Sequence, residues 1–99
     1  MDTLTENVRK SLLGYARKGL NSQGYLTHSD DDTIFSVITV ARASNTSFVS
    51  LLVRILPGVV VIERDQNDKP LVVALVQAGI PREKIVLAYA GEPVPEALT

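Results

Sequence analysis

The spacing of apolar residues near the start of the chain predicts a helix. Apolar side chains recur there at intervals of three and four residues, the spacing of one helix face, at Leu4, Val8, Leu12, Tyr15 and Ala16. The sequence Thr3-Leu4-Thr5-Glu6 has the Ser/Thr-x-x-Glu form, in which a hydroxyl and a carboxylate satisfy the first N–H groups of a helix. We therefore expect a helix that begins at Thr3 and ends at Gly19 or Asn21.

The pattern then changes to that of β-strands. We expect a short strand at 25–27, an acidic turn at 29–32, and three longer strands in segments rich in β-branched residues, at 34–40, 48–56 and 59–63. Within the second of these long strands, alternation assigns Val49, Leu51, Val53 and Ile55 to one face and Ser50 and Arg54 to the other. Because Pro57-Gly58 favours a tight reversal, the strands should form an antiparallel meander.

A second helix is predicted after the meander. Asp68 can cap it, and Pro70 fits its first turn, where a missing N–H costs little. Its packing positions are assigned to Leu71, Val72, Leu75, Val76 and Ala78. Gly79 suits the left-handed position after the last turn, Ile80 can fold back on Leu75, and Pro81 prevents continuation. A final strand follows at 85–89, in or beside the meander.

These elements predict an α+β fold: an N-terminal helix, an antiparallel meander of about four strands, a second helix and a short last strand. With 99 residues, of which 45% are hydrophobic, the chain is expected to form a single domain over 1–99. The end of the chain, 90–99, contains Pro93 and Pro95 and is predicted to be a flexible tail.

Composition narrows the classes of function. The net charge is −1, so the chain as a whole has no electrostatic attraction to a phosphate backbone, and direct nucleic-acid binding is not favoured. The absence of cysteine excludes disulfides, thiolate catalysis and Cys-ligated metals. No segment has the order of a secretory signal or the length of a membrane span, so we expect a cytoplasmic protein without cofactors.

The candidate chemistry is sparse. His28 precedes Asp30, Asp31 and Asp32, and a histidine beside carboxylates could act as a general base, although an exposed acidic turn is the more economical interpretation. The segment 75–84 superficially resembles a helix-turn-helix, but the apolar residues after it favour a buried strand over a recognition helix. We therefore predict no catalytic, metal or cofactor-binding residues.

Three arginines are the candidate interaction surface. Arg42, Arg54 and Arg64 are scattered along the strand region, and they could form a local basic face if the fold brought them together. A small DNA-associating module that uses this face is the alternative to a protein-binding function.

The segment from Leu75 to Tyr89 also supports a family resemblance. It reads Leu-Val-Gln-Ala-Gly-Ile-Pro-Arg-Glu-Lys-Ile-Val-Leu-Ala-Tyr, and it is similar to the Leu-Val-x-Ala-Gly-Val-Pro-x-x-x-Ile-Val-Leu-x-Phe/Tyr signature of the XisI-like family. The chain is identified as a divergent member, since it has no tryptophan at the places where that family usually has one. The matching motif residues, expected to be structural, are Ala78, Gly79, Pro81, Ile85 and Leu87.

The resemblance implies a regulatory function. Members of the family are factors controlling the excision of a DNA element in cyanobacteria, and they act beside a recombinase and an XisH-like companion protein. On that basis we expect a non-enzymatic accessory protein that works through protein–protein contacts, as a homodimer or with such a companion.

Overall fold

Between residues 3 and 95, five strands form one sheet and two α-helices accompany it. The structure is a computed structural model, and it describes residues 3–95. The helices and strands are α1 Thr3–Leu13, β1 Ser22–His28, β2 Ile34–Ala41, β3 Thr46–Leu56, β4 Val59–Asp65, α2 Leu71–Gln77 and β5 Ile85–Leu87. The strand order is β1-β2-β3-β4-β5; the first four strands are antiparallel, and β5 is parallel to β4. The predicted α+β class and four-stranded meander are confirmed, and the last strand lies beside the meander.

Both helices cover the same face of the sheet. Val8 and Leu12 of α1 and Leu71 and Leu75 of α2 are fully buried in one apolar cluster with the sheet. The strand residues in that cluster are Phe35, Val37, Leu51, Val53, Ile55, Val60, Ile62 and Ile85. Within residues 3–95, neither α-helix lies over the opposite face of the sheet, although Val61 on that face is fully buried and the 3-10 turn Ala88–Ala90 contacts β4.

A β-bulge corrects the predicted faces of β3. Val37 pairs with Leu51 but Ile38 pairs with Val49, so Ser50 has no opposite residue on β2. Ser50 is consequently buried, at 5% exposure, and its hydroxyl donates to Val37 O at 3.2 Å. The prediction that placed Val49 on the core face and Ser50 on the other was wrong, because strict alternation does not hold across a bulge.

The first helix is shorter than predicted. It ends at Leu13 rather than at Gly19 or Asn21, and a turn follows in which Gly14 N–H donates to Ser11 O at 3.2 Å. The helix already includes Thr3, so Thr3 is not its cap, and the Glu6 carboxylate accepts a hydrogen bond from Arg9 at 2.7 Å. Helical spacing continued past Leu13 in the sequence, but the glycine that follows permits the chain to leave the helix.

The cap of α2 also differs from the prediction. Asp65 at the end of β4, not Asp68, accepts the first helical N–H, from Leu71 to Oδ2 at 2.6 Å. Pro70 stands just before the helix in an extended conformation rather than inside its first turn. The face of α2 that packs on the core consists of buried Leu71 and Leu75, with Val72 partly buried beside them. Val76 and Ala78 are exposed, contrary to the predicted packing.

The predicted end of α2 is confirmed. Gly79 has a φ of +100°, Ile80 N–H donates to Leu75 O at 3.0 Å, and the Ile80 side chain is only 3% exposed. The predicted strand 85–89 is too long, because Ala88–Ala90 form a 3-10 turn and β5 ends at Leu87. The predicted flexible tail, 90–99, lies partly outside the described residues.

Candidate interaction surface

The face of the sheet turned away from the helices, here called the outer face, is built from the residues that alternate with the core residues. On β2 these are Ile34, Ser36, Ile38 and Val40, and on β3 they include Leu52 and Arg54. The register places Tyr25 of β1 opposite Ile38, and Ser36 opposite Leu52. Apolar side chains therefore run across three neighbouring strands on this face.

The exposed part of the outer face lies on the β1–β2 side. Tyr25 is 53% exposed and Ile34 is 41% exposed, whereas Ile38, Val40 and Leu52 are half-buried. We call these five residues the outer patch. Beside the outer patch, the Thr27 hydroxyl contacts the Ser36 hydroxyl at 2.5 Å across the strands. The outer patch is therefore a largely apolar surface, and the two hydroxyls beside it contact each other.

Two of the three candidate arginines share the outer face. Arg54 lies opposite Val61, and Arg64 lies opposite Leu52, two residues from Arg54, so both side chains project away from the helices. Arg42 follows the end of β2, in the exposed turn that leads to β3. The fold therefore brings Arg54 and Arg64 together and leaves Arg42 apart.

The charge of Arg54 is balanced locally. Its Nε donates to Glu63 Oε2 at 2.6 Å, and both side chains are about three-quarters buried, at 27% and 28% exposure. Glu63 reaches this position because it occupies a second bulge, between Ile62, opposite Val53, and Arg64, opposite Leu52. Arg64 is exposed, and its Nε donates to Val49 O at 2.8 Å. The outer face is thus less basic than its arginines suggest.

The acidic turn between β1 and β2 borders a groove of about 670 Å³ that also reaches α1 and the β3–β4 turn. His28 Nδ1 lies 2.7 Å from Asp32 Oδ1, but the imidazole is 56% exposed. Asp31 Oδ1 accepts hydrogen bonds from the Thr33 and Ser29 hydroxyls and from Thr33 N–H, which hold the pKa of that carboxyl below its usual range. The turn therefore uses the Asp31 carboxylate to fix its own backbone, and Asp30 is exposed.

Two further properties concern ligands and membranes. Within residues 3–95, no group of three or more His, Asp or Glu residues is close enough to hold a metal ion. Neither helix of the described chain is long and apolar enough to span a bilayer.

Over residues 3–97, the chain matches the family described as XisI protein. The chain belongs to the XisI family. No curated protein is detectably similar to this XisI-family chain.

Two crystal structures from Anabaena variabilis ATCC 29413 resemble the XisI-family chain in fold. One, of a XisI-like protein, has a TM-score of 0.71 and 23% sequence identity, with 93% of this chain and 86% of the other covered. The second, of fdxN element excision controlling factor XisI, has a TM-score of 0.65 and 15% identity, with 96% and 94% covered. At such low identity the similarity establishes the fold, and it spans nearly the whole of each chain.

The motif residues that identified the family lie around the end of α2 and along β5. Gly79 and Pro81 form the turn after the helix, Ile85 is buried in the core, and Leu87 packs against it half-buried. Ala78 is exposed and donates its N–H back to the last turn. Each of these positions has a structural explanation, and the outer patch contains none of them.

Proposed function

We propose that this XisI-family chain is a non-enzymatic regulatory protein that acts through protein–protein contacts, and that it forms a homodimer through the outer patch. The observation that supports the proposal is an apolar surface on the β1–β2 side of the outer face, with Tyr25 and Ile34 the most exposed of its members. Exposed apolar patches of this kind mark sites of protein association.

The chemistry of the outer face favours a protein over DNA as the partner. Nucleic-acid surfaces need unpaired cations that can replace condensed counterions on phosphates. On the outer face the guanidinium of Arg54 is already paired with Glu63, and the neighbouring outer-patch side chains are apolar or hydroxylic. A polyanion would gain little there, whereas a second apolar surface would remove the outer patch from water.

The charges on the outer face allow it to pair with the same face of a second copy of the chain. Arg54 and Glu63 are a cation and an anion on neighbouring strands. About a two-fold axis, Arg54 of one copy can approach Glu63 of the other, so the face is complementary to itself. In such an isologous dimer the apolar patches come together while Arg54 of each copy faces Glu63 of the other.

The regulatory part of the proposal follows from the relatives. One of the similar structures is of a protein described as an fdxN element excision controlling factor. We propose a corresponding role in controlling a DNA rearrangement, with an XisH-like companion and a recombinase as further partners. A chain that influences a recombinase by contact needs an interaction surface but no reacting groups of its own.

Sedimentation equilibrium with two matched variants tests the surface. Ile34→Glu places a charge in the outer patch, and Val73→Glu places one on α2, where Val73 is similarly exposed, at 42% against 41%. We expect the wild type and Val73→Glu to be dimeric and Ile34→Glu to be monomeric and folded by circular dichroism. Equal masses for the two variants would contradict the assignment of the outer patch.

Affinity purification from the native host tests the regulatory role. We expect the wild-type chain to recover an XisH-like protein or a recombinase, and recovery of no specific partner would count against the proposal. The DNA alternative predicts a gel-shift complex that weakens steeply with salt and is lost in Arg64→Glu. Such a complex, seen with purified protein at moderate salt, would replace the protein-binding proposal.

A further inference from the structure

All the backbone N–H and C=O groups on the outward edge of β5 have hydrogen-bond partners. Val86 pairs with Val61 in the middle of the short parallel ladder, and its N–H and C=O groups point toward β4. Because successive residues of a strand point these groups to opposite sides, the N–H and C=O groups of Ile85 and Leu87 point away from β4. These are the four groups that an additional strand would use. An edge of this kind, at the end of a sheet, normally presents them to solvent.

Two residues occupy all four groups. Ile85 N–H donates to Arg82 O, and Ile85 O accepts from Arg82 Nη1 at 2.7 Å. Leu87 N–H donates to Glu92 Oε1 at 2.9 Å, and Leu87 O accepts from Glu92 N–H at 3.1 Å. Arg82 and Glu92 each contribute one backbone group and one side chain, so together they take the place of a sixth strand.

The two residues are also joined to each other. Arg82 Nη2 lies 3.0 Å from Glu92 Oε2, which closes a continuous chain of contacts along β5. We call this arrangement the β5 clamp. The other edge is protected differently, since Gly24 N–H donates to Arg17 O and Gly19 N–H to Ser22 O beside the first half of β1.

We propose that the β5 clamp blocks strand addition by a second copy of this chain, and that β5 is a latent self-association site when the clamp is removed. Without the side chains of Arg82 and Glu92, the edge would be complementary to itself through Ile85 O and Leu87 N–H. In an antiparallel pair with a two-fold axis at Val86, Leu87 N–H of one copy meets Ile85 O of the other, and the reverse contact forms by symmetry.

This site is separate from the outer patch, because it uses the backbone edge of β5 and not the face of β1 to β3. The clamp therefore determines how copies of the chain can meet. Association through the outer patch ends at two copies, whereas an open β5 edge would join such pairs into larger assemblies.

A double variant tests the proposal by its mass relative to the wild type. Arg82→Ala/Glu92→Ala removes the two side chains and so frees Ile85 O and Leu87 N–H, the groups used in the antiparallel pair, while the backbone contacts of residues 82 and 92 can remain. Glu6→Ala/Arg9→Ala is the control, because it removes an ion pair of comparable exposure on α1, away from any sheet edge. In sedimentation equilibrium, we expect the mass of the clamp variant to rise to at least twice that of the wild type as concentration increases, while the control pair keeps the wild-type mass. A folded clamp variant with unchanged mass at every concentration would overturn the proposal.

Hydrogen exchange of the wild type keeps the test decisive if the clamp variant does not fold. The Leu87 amide should exchange slowly, on the scale of Val86, because Glu92 holds it. Exchange of Leu87 at the rate of an unprotected amide would show that the edge is open in the native protein and would refute the clamp. Because each mass is compared with that of the wild type, failure of the outer-patch dimer would leave this comparison intact.

Discussion

Replacing Asp65 by alanine should destabilise the protein, because this one carboxylate organises the start of α2. Its Oδ2 accepts Leu71 N–H at 2.6 Å, and its Oδ1 accepts the backbone and side-chain N–H groups of Asn67 at 3.1 and 2.9 Å. Loss of a helix-capping carboxylate costs about 1 kcal/mol, and hydrogen bonds to charged groups are worth about 1.5–3 kcal/mol. We therefore expect Asp65→Ala to lower the free energy of unfolding by about 2 kcal/mol.

Urea unfolding followed by far-ultraviolet circular dichroism measures this change, and Asp68→Ala is the matched control. Asp68 lies closer in sequence to the helix but is exposed, so its replacement should alter stability by less than about 0.5 kcal/mol. In thermal unfolding the Asp65 variant should melt about 8–16 °C below the wild type. A larger loss for Asp68→Ala than for Asp65→Ala would refute the reasoning.

Three further changes have expected outcomes. Gly79→Val should cost about 1–2 kcal/mol in urea unfolding, because Gly79 has a φ of +100° and a β-branched residue is strained there. Gly24→Ala should cost about 1–3 kcal/mol, since its Cβ would lie 3.0 Å from Tyr15 O; a Tm equal to that of the wild type would contradict this close approach. Hydrogen bonds from Leu87 N–H and then from Arg82 hold the pKa of Glu92 below its usual value of 4.5, so its contribution is present above that value and is lost as pH falls through the lowered pKa. Stability measured from pH 6 to pH 3 should therefore decline less in Glu92→Gln than in the wild type.

Local signals were sufficient for several elements. The end of α2 was predictable because Gly79, Ile80 and Pro81 determine the backbone through their own steric properties. The β3–β4 reversal at Pro57-Gly58 was predictable for the same reason, and Gly58 has a φ of +73°. These predictions required no knowledge of distant residues.

The features that were wrong or missing depend on contacts between distant segments. Ser50 is buried because of the register between β2 and β3, which alternation within one strand does not reveal. The Asp65 carboxylate reaches across five intervening residues to Leu71, so a search at the position before the helix finds Asp68 instead. The β5 clamp joins Glu92, in the predicted tail, to Arg82, and no periodicity signals such a pair.

The candidate surface was only partly predictable. Arg54 was assigned correctly to the face of β3 opposite the core, but its pairing with Glu63 depends on the bulge in β4. The strand pairing of the folded sheet shows that Arg54 and Arg64 lie together and that Arg42 lies apart, and the sequence alone does not give this pairing. The outer patch itself had no motif, because its residues are ordinary strand formers whose exposure depends on where the helices lie.

The two bulges have a consequence for the alignment of distant relatives. Ser50 and Glu63 are each an extra residue in one strand, and on either side of them the alternation of faces is out of phase. A relative that lacks one of these residues would keep the same core with a one-residue deletion in the middle of a strand. At 15–23% identity, a gap placed in a loop instead would exchange core and surface positions along a whole strand. Alignments of XisI-family chains should therefore permit gaps at these two positions.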